Sequence, residues 1–279
     1  MFGNLELAKK QLLDINYYHL ISCSKVRFAQ SVNHEKKYVY SASNFDDWNE
    51  YFQKDVLVSE YLAKLMLSFE RKINSRLANY ISNGMEKNQF NNHEKNEILR
   101  RIRRSRYSMD LETNNHERNQ HDGSYRGKET WRFVAKMTLG EIKGLLFWLF
   151  ENKHELYQQV VTGYQGLTFP KSEITKFKEK LDNIQELRNS LFHFRPLTIY
   201  LIYGKGNNDK FNNKNRKKTV QWLFAQRYND LVNPELNVLL DCTDRFMKIK
   251  KQPTMLTEKK SHSYKQIVFS QSPSKQITH

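Results

Sequence analysis

The sequence has few of the residues that cross-link a chain or interrupt its helices. Its 279 residues include only two cysteines, Cys23 and Cys242, which excludes a disulfide framework and a zinc site built on CxxC pairs. The longest uninterrupted apolar run, at 145–150, is far shorter than the ~20 residues that a membrane-spanning helix needs. The N-terminal segment contains acidic residues and no apolar core, so we expect no signal peptide. With 10 glycines and 5 prolines, the composition favours long helices. The low cysteine count and the lack of a signal peptide predict a protein of a reducing cytoplasm.

Positive charge is present in large excess. Lysine and arginine together number 46 against 30 aspartates and glutamates, which gives a formal net charge of +16. A net charge of this size bears on association rather than on fold, and it predicts a polyanionic partner. No membrane partner is predicted, because no apolar run is long enough to span one. Hydrophobic residues make up 38% of the chain, which is enough for a packed core.

The spacing of apolar residues predicts an all-α fold. Intervals of three and four residues indicate helices over 4–22, 59–80, 130–154, 170–195 and 233–250, with Asn44 as a helix N-cap. The segment 25–40 is polar and irregular, which is typical of a loop. Short β-prone runs at 197–203 and 219–225 predict a small hairpin near the C-terminus. We expect one domain over 1–250, with a basic insert at 84–129 and a basic loop at 204–218, followed by a basic, flexible tail at 251–279.

One short pattern carries the candidate chemistry. Residues 188–193 form the pattern R-N-x-x-x-H at the end of the helix that precedes Pro196. At about 100° per residue, with Arg188 at zero, Asn189 falls at ~100° and His193 at ~140°. The apolar residues of this helix occupy the opposite side: Phe177, Leu181, Ile184, Leu187 and Leu191. Arg188 lies at the edge of that apolar side. Its charge therefore needs a partner, or its stem must carry the guanidinium to the polar side.

Arg188, Asn189 and His193 are suited to RNA cleavage without a metal. Such a reaction needs a base for the ribose 2′-hydroxyl proton, an acid for the leaving 5′-oxygen and positive charge near the phosphorus. Histidine serves as acid or base near neutrality, and arginine binds phosphate oxygens through its planar fork. One helix supplies only one histidine and one arginine, so we expect a homodimer that brings two copies together. A solvated helix face is the alternative interpretation of the same residues.

The motif and the blocks around it resemble a known family. The R-N-x-x-x-H pattern matches the HEPN ribonuclease motif. The block order resembles the bacterial Abi-like (AbiD/AbiF type) abortive-infection proteins: INYYHL, LAKLMLSFERKINSRLANYI, WRFVAKMTLGEIKGLLFWLF and LDNIQELRNSLFHFRPL. The resemblance covers about residues 5–200. It departs at Phe192 and Phe194, where many members carry alanine and histidine.

This resemblance implies a HEPN-type helical bundle, related to the HEPN nuclease domains of RNA-guided type VI CRISPR effectors. It implies a metal-independent endoribonuclease that acts as a toxin in phage defence, uses no cofactor, and leaves a 2′,3′-cyclic phosphate and a 5′-hydroxyl. On this mapping Arg188 and His193 are the catalytic pair and Asn189 orients them. Because such a toxin needs restraint, we expect a bound small non-coding RNA in addition to the RNA substrate.

Two basic segments, 100–106 and 205–218, are candidates for phosphate contacts. The predicted RNA-binding residues are Arg100, Arg101, Arg103, Arg104, Arg106, Arg195, Lys214 and Arg216. A solvated charged surface is the alternative for each segment. The histidines outside the motif match none of the zinc-ligand spacings, so no metal site is predicted.

A second function fits the same residues. In a non-catalytic RNA-binding module, Arg188 and His193 would hold RNA or the dimer. A DNA-binding regulator is disfavoured because the sequence has no helix-turn-helix pattern.

Overall fold

The computed structural model describes residues 17–33, 35, 37–41, 44–103, 134–135, 137–203, 213–227 and 229–251. These residues form nine α-helices, one 3-10 turn and one two-stranded sheet, which confirms the all-α prediction. The helices are α1 Tyr17–Phe28, α2 Phe45–Glu86, α3 Asn92–Arg103, α4 Leu139–Asn152, α5 His154–Val161, α6 Ile174–Phe192, α7 Leu197–Tyr203, α8 Asn213–Phe224 and α9 Asn233–Lys251. The strands are β1 Ala29–Val32 and β2 Tyr38–Tyr40, and the 3-10 turn is Lys171–Glu173. None of the helices in the described ranges is long and apolar enough to cross a membrane.

Contacts divide the chain into two compact units, 1–52 with 241–279, and 53–240. The first unit contains α1, the sheet, the start of α2 and the end of α9. Leu20 and Phe45 form a buried cluster on which Trp48 and Phe52 pack. The strands pair antiparallel, with Val32 opposite Tyr38.

The hairpin at 29–40 corrects two predictions. Residues 25–40 were predicted to be a loop, and the hairpin was predicted near the C-terminus. The short strands have little alternation: β1 is AQSV, with one fully buried residue, Ala29. Pairing with β2, rather than a strong local pattern, gives this segment its structure.

Helix α2 is the longest of the elements that the structure describes, with 42 residues. Asn44 is its N-cap as predicted: its side-chain oxygen accepts the Asp47 amide at 2.8 Å, and the Asp47 carboxylate accepts the Asn44 amide at 3.0 Å. In the second unit the buried face of α2 repeats at three and four residues: Val58, Leu62, Met66, Phe69, Ile73, Leu77 and Ile81. Near its end a Cβ at Gly84 would overlap the Phe90 ring, so glycine permits the close packing of the following turn.

The two segments predicted as C-terminal strands, 197–203 and 219–225, are helical instead: 197–203 is α7, and 219–224 is the end of α8. Four side chains of α7 are buried apolar groups, at Leu197, Tyr200, Leu201 and Ile202. The first amides of α7 donate to a buried carboxylate of α2, which satisfies groups that a helix N-terminus leaves unpaired. Burial and capping therefore override the β propensity of this apolar run.

Helix α6 lies against α4, α7 and α8 in the second unit. The side chains predicted to be its apolar face are all buried, which confirms that prediction. Its N-terminal half packs into an aromatic cluster, where the Phe177 ring stacks on Phe150 at 4.5 Å between centroids. This packing fixes the rotation of α6 and hence the direction of the motif at its C-terminal end. The predicted insert is described only as far as α3, the predicted basic loop only from residue 213, and the predicted tail beyond 251 lies outside the described residues.

Candidate active site

The R-N-x-x-x-H motif occupies the C-terminal end of α6, with His193 at the C-cap. The Phe194 amide donates to the Leu191 carbonyl at 3.3 Å, and the Arg195 amide donates to the Ser190 carbonyl at 3.0 Å. These two hydrogen bonds form a Schellman motif, in which the residue after the cap adopts a left-handed backbone. That residue is usually glycine, but here it is Phe194, with φ of 53°. The backbone around His193 is therefore held on both sides.

Phe194 is an unusual residue for this position. A bulky side chain in the left-handed region is strained, and the Phe194 side chain is 84% exposed. Packing against the described residues does not explain why an aromatic residue stands there. The strained residue directly follows the motif histidine.

Arg188 pairs with Glu70, as its position at the edge of the apolar face requires. Its Nε donates to Oε1 of Glu70 on α2 at 3.0 Å, and its guanidinium lies over the Phe192 ring, 4.7 Å from the centroid. The side chains of Arg188 and Glu70 are 27% and 12% exposed. Within the described part of the chain, the two terminal nitrogens of Arg188 donate no hydrogen bond. The guanidinium is thus oriented by Glu70, and its two terminal nitrogens have no hydrogen-bond partner among the described residues.

The side chains of His193 and Asn189 differ from that of Arg188, because no described residue pairs with them. The His193 side chain is exposed and the Asn189 side chain is half-buried. Neither side chain makes a hydrogen bond with another residue in the described ranges, and no hydrogen bond joins Arg188 to His193. One copy of the chain therefore presents one imidazole and one guanidinium that are not hydrogen-bonded to each other.

The rest of the polar row on α6 is engaged in other ways. Asp182 pairs with Lys143 of α4, whose Nζ also donates to the Gln185 side chain at 3.1 Å. Both carboxylate oxygens of Glu186 are buried without a hydrogen bond to a described residue. Burial lowers the pKa of Arg195, and the nearby Glu186 charge partly opposes that effect. Glu186 and Arg195 are therefore electrostatic neighbours beneath the motif.

A buried aspartate fixes the chain just after the motif. Asp55 of α2 is 1% exposed and accepts the amides of Leu197 and Thr198, each at 2.7 Å. The Thr198 hydroxyl also donates to Asp55, as does the Ser59 hydroxyl at 3.2 Å. Burial raises the pKa of Asp55, and these hydrogen bonds partly oppose the rise. Asp55 thus ties the start of α7, four residues after His193, to α2.

The sequence reasoning missed both Glu70 and Asp55. A weak signal exists for each, because both carboxylates fall on or beside the apolar stripe of α2, where a charge requires a partner. The pattern does not identify that partner, because Arg188 and Thr198 are more than a hundred residues away in sequence.

The predicted RNA-binding residues have different surroundings. Arg100 donates to Glu97 at 2.7 Å, and this hydrogen bond lowers the pKa of Glu97. Arg101 donates to the Gly144 carbonyl at 3.4 Å, and Lys214 is exposed. Arg103 ends α3, while Arg104 and Arg106 lie outside the described residues.

Arg216 does not have the exposed position that the prediction of an RNA contact requires. It is 2% exposed, and its Nη1 donates to the carbonyls of Tyr200 at 3.4 Å and Leu201 at 3.1 Å. Its guanidinium joins α8 to α7. The charge of a basic segment therefore does not by itself indicate which of its side chains reach the surface.

Among the described residues, no group of three or more histidine, cysteine, aspartate or glutamate side chains could hold a metal ion.

Comparison with known proteins identifies the family. No curated protein and no solved structure matched the chain. The sequence profile of the Abi-like protein family matches residues 10–197, which include α1 to α6 and the whole motif. The chain therefore belongs to the Abi-like protein family.

Proposed function

We propose that this protein is a metal-independent HEPN endoribonuclease that acts as an abortive-infection toxin, cleaving RNA at a composite site in a homodimer. Membership of the Abi-like family indicates a role in abortive infection against phage. The observation that carries the nuclease proposal is the state of the motif. His193 is exposed at a hydrogen-bonded helix end, while Arg188 is oriented through Nε and keeps its terminal nitrogens available.

The reaction is an internal transesterification. One His193 accepts the 2′-hydroxyl proton as the 2′-oxygen attacks phosphorus and the bond from phosphorus to the 5′-oxygen breaks. A second acid, the His193 imidazolium of the other protomer, donates a proton to the leaving 5′-oxygen. The Arg188 fork neutralises charge on the non-bridging oxygens, and Asn189 orients the phosphate or an imidazole. The products are a 2′,3′-cyclic phosphate and a 5′-hydroxyl.

Two copies supply what one copy lacks. Base and acid act on opposite sides of the phosphorus, and one chain has only one histidine at the motif. Below the dissociation constant of the dimer, we expect specific activity to fall as the protein is diluted. Sedimentation over the same concentrations gives the dimer fraction. Constant specific activity across the transition would contradict the composite site.

His193→Ala tests the chemistry directly. The assay is cleavage of a synthetic RNA with EDTA present, with product ends identified by mass spectrometry. We expect no cleavage by His193→Ala and full cleavage by His93→Ala, which removes another exposed histidine as a matched control. His193→Ala should also abolish toxicity in cells while its affinity for RNA stays close to wild type.

A non-catalytic RNA-binding module is the second candidate, and the ion pair of Arg188 with Glu70 favours it. That pair gives Arg188 a structural role without any chemistry. Under this alternative, no cyclic-phosphate product forms, and His193→Ala changes RNA affinity in proportion to any loss of toxicity.

We also propose that a small non-coding RNA restrains the toxin, as the net charge of +16 would allow. Purification from the native locus, followed by sequencing of the copurified nucleic acid, tests this. One discrete small RNA supports the proposal, and a mixture of unrelated fragments contradicts it.

A further inference from the structure

A shallow groove on the second half of α2 is lined by basic side chains. Arg71, Lys72, Ser75 and Arg76 surround this groove, which has a volume of about 360 Å³. Arg71, Lys72 and Ser75 are exposed, and Arg76 is half-buried. None of these cations was among the residues that the sequence analysis singled out.

Packed aromatic rings connect the groove to a second group of cations. The Arg76 guanidinium lies 5.6 Å from the Tyr164 ring and donates to the Val160 carbonyl at 3.1 Å. The rings of Tyr164 and Trp222 each make an edge contact with Phe69, at 5.1 Å and 5.5 Å between centroids. The Lys180 ammonium then lies over the Trp222 ring at 4.5 Å. Phe69 and Tyr164 are buried, so the rings form a rigid packed link beneath the surface on which the groove cations and Lys180 lie.

The cations of this surface have no acidic partner. In the ranges that the structure describes, no ion pair involves Arg71, Lys72, Arg76, Lys180 or Lys218, a set that we call the basic strip. Burial, and then the charge of Lys218, lower the pKa of Lys180 to about 8. Gathering like charges without carboxylates destabilises the free protein, and a bound anion would offset that cost.

One residue of the basic strip, Arg71, is next in sequence to a residue that contacts the candidate active site. Glu70, which orients Arg188, directly precedes Arg71 on α2. Successive residues of a helix point about 100° apart, so one side chain faces α6 while the next faces outward. An RNA strand that lies along the strip would reach the Arg188 side of the motif.

We propose that the basic strip binds the sugar–phosphate backbone of the single-stranded RNA substrate and leads it to Arg188 and His193. This inference rests on the proposed nuclease function. Binding is electrostatic and largely independent of sequence, because backbone phosphates carry no base information. The half-buried Trp222 contributes a rigid support for Lys180 rather than a base contact.

The test uses the full-length chain with His193→Ala, so that the RNA remains intact, and a fluorescein-labelled single-stranded RNA as probe. Two paired variants remove two positive charges each, Arg71→Gln with Lys72→Gln, and Lys180→Gln with Lys218→Gln. The control, Lys37→Gln with Lys176→Gln, removes two charges that already pair with Glu35 and Glu173. Dissociation constants are measured from ~50 to ~200 mM salt, a range over which phosphate contacts make the affinity depend strongly on salt.

Each single-strand phosphate contact contributes about 0.7 to the slope of log K against log salt. We expect each strip pair to reduce that slope by about 1.4. Over the fourfold rise in salt, the affinity of the unaltered strip should then fall about sevenfold more than the affinity of the paired variant. The control should keep the wild-type slope. A strip pair whose slope equals that of the control overturns the proposal. Arg71→Lys, which keeps the charge, should retain the slope and shows that the loss is not a folding defect.

Cleavage by the chain with His193 intact distinguishes this inference from the nuclease proposal. If the strip guides substrate, the paired variants raise KM and leave kcat close to wild type. If the wild-type chain cleaves no RNA, the nuclease proposal fails, while the salt slopes still report on the strip. Loss of a copurified small RNA with unchanged KM would assign the strip to the regulator and overturn the substrate proposal.

Discussion

The ion pair between Arg188 and Glu70 allows the structural and the chemical roles of Arg188 to be separated. Arg188→Ala alone cannot do this, because it removes the guanidinium and also leaves Glu70 buried without its partner. Replacing both residues with leucine, Glu70→Leu with Arg188→Leu, removes the two charges together and fills the space with apolar groups. We expect this double variant to fold and to cleave no RNA.

The magnitudes follow from the contacts. A hydrogen bond between charged groups contributes about 1.5–3 kcal/mol, and a partly exposed cation–π contact contributes about 1 kcal/mol. Both side chains are largely buried, so Arg188→Leu alone should lower the free energy of unfolding by about 3 kcal/mol, because it leaves the Glu70 charge without its partner. Apolar replacement of a buried pair is often neutral or stabilising. The double leucine variant should therefore lie within about 1 kcal/mol of wild type.

The assay combines denaturant unfolding with RNA cleavage on the same protein samples. The four proteins are wild type, Arg188→Leu, Glu70→Leu and the double variant, which together form a double-mutant cycle. Recovered stability without cleavage assigns Arg188 to the chemistry. A stable double variant that cleaves at the wild-type rate would refute the catalytic assignment and leave Arg188 as a link between α6 and α2.

Three further predictions concern the surroundings of the motif. Asp55→Ala leaves the buried amides of Leu197 and Thr198 without an acceptor, so the free energy of unfolding should fall by about 3 kcal/mol or more in a urea titration. Phe194→Gly relieves the left-handed strain at φ 53° and should raise that free energy by about 1 kcal/mol, whereas Phe194→Ala should give no such gain. Burial raises the pKa of Tyr200 above its ordinary value of 10.0, so its contribution to stability is complete below pH 10 and decreases as the pH rises further. Tyr200→Phe should flatten the alkaline decline in melting temperature, and an unchanged decline would contradict this reasoning.

The helices that the sequence predicts well are those whose apolar residues repeat over many turns. The stripe from Leu62 to Leu77 indicated α2, and the run from Phe177 to Leu191 indicated α6, because each repeat samples the same side of the helix several times. Asn44 was identifiable as an N-cap because its effect is local. Length and local capping are both properties of contiguous sequence.

The elements that the sequence mispredicts depend on distant residues. Leu197–Tyr203 has the composition of a strand, and its helical state follows from burial and from the Asp55 carboxylate at its N-terminus. At the site, the angular positions of the residues around α6 showed that Arg188 needs a partner. Several carboxylates of α2 could have supplied one, so the contact with Glu70 was not predictable from spacing alone.

Glu70 and Arg71 are adjacent on α2 and have different roles in the proposed mechanism. Glu70 faces α6 and occupies Nε of Arg188, which fixes the plane of the guanidinium while its terminal nitrogens stay available for phosphate. Arg71 belongs to the exposed groove of the basic strip. A displacement of α2 relative to α6 would therefore change the orientation of the catalytic fork and the approach of the RNA together. Restraint of such an enzyme does not require an occupied active site, since an RNA that binds the strip alone would block substrate entry.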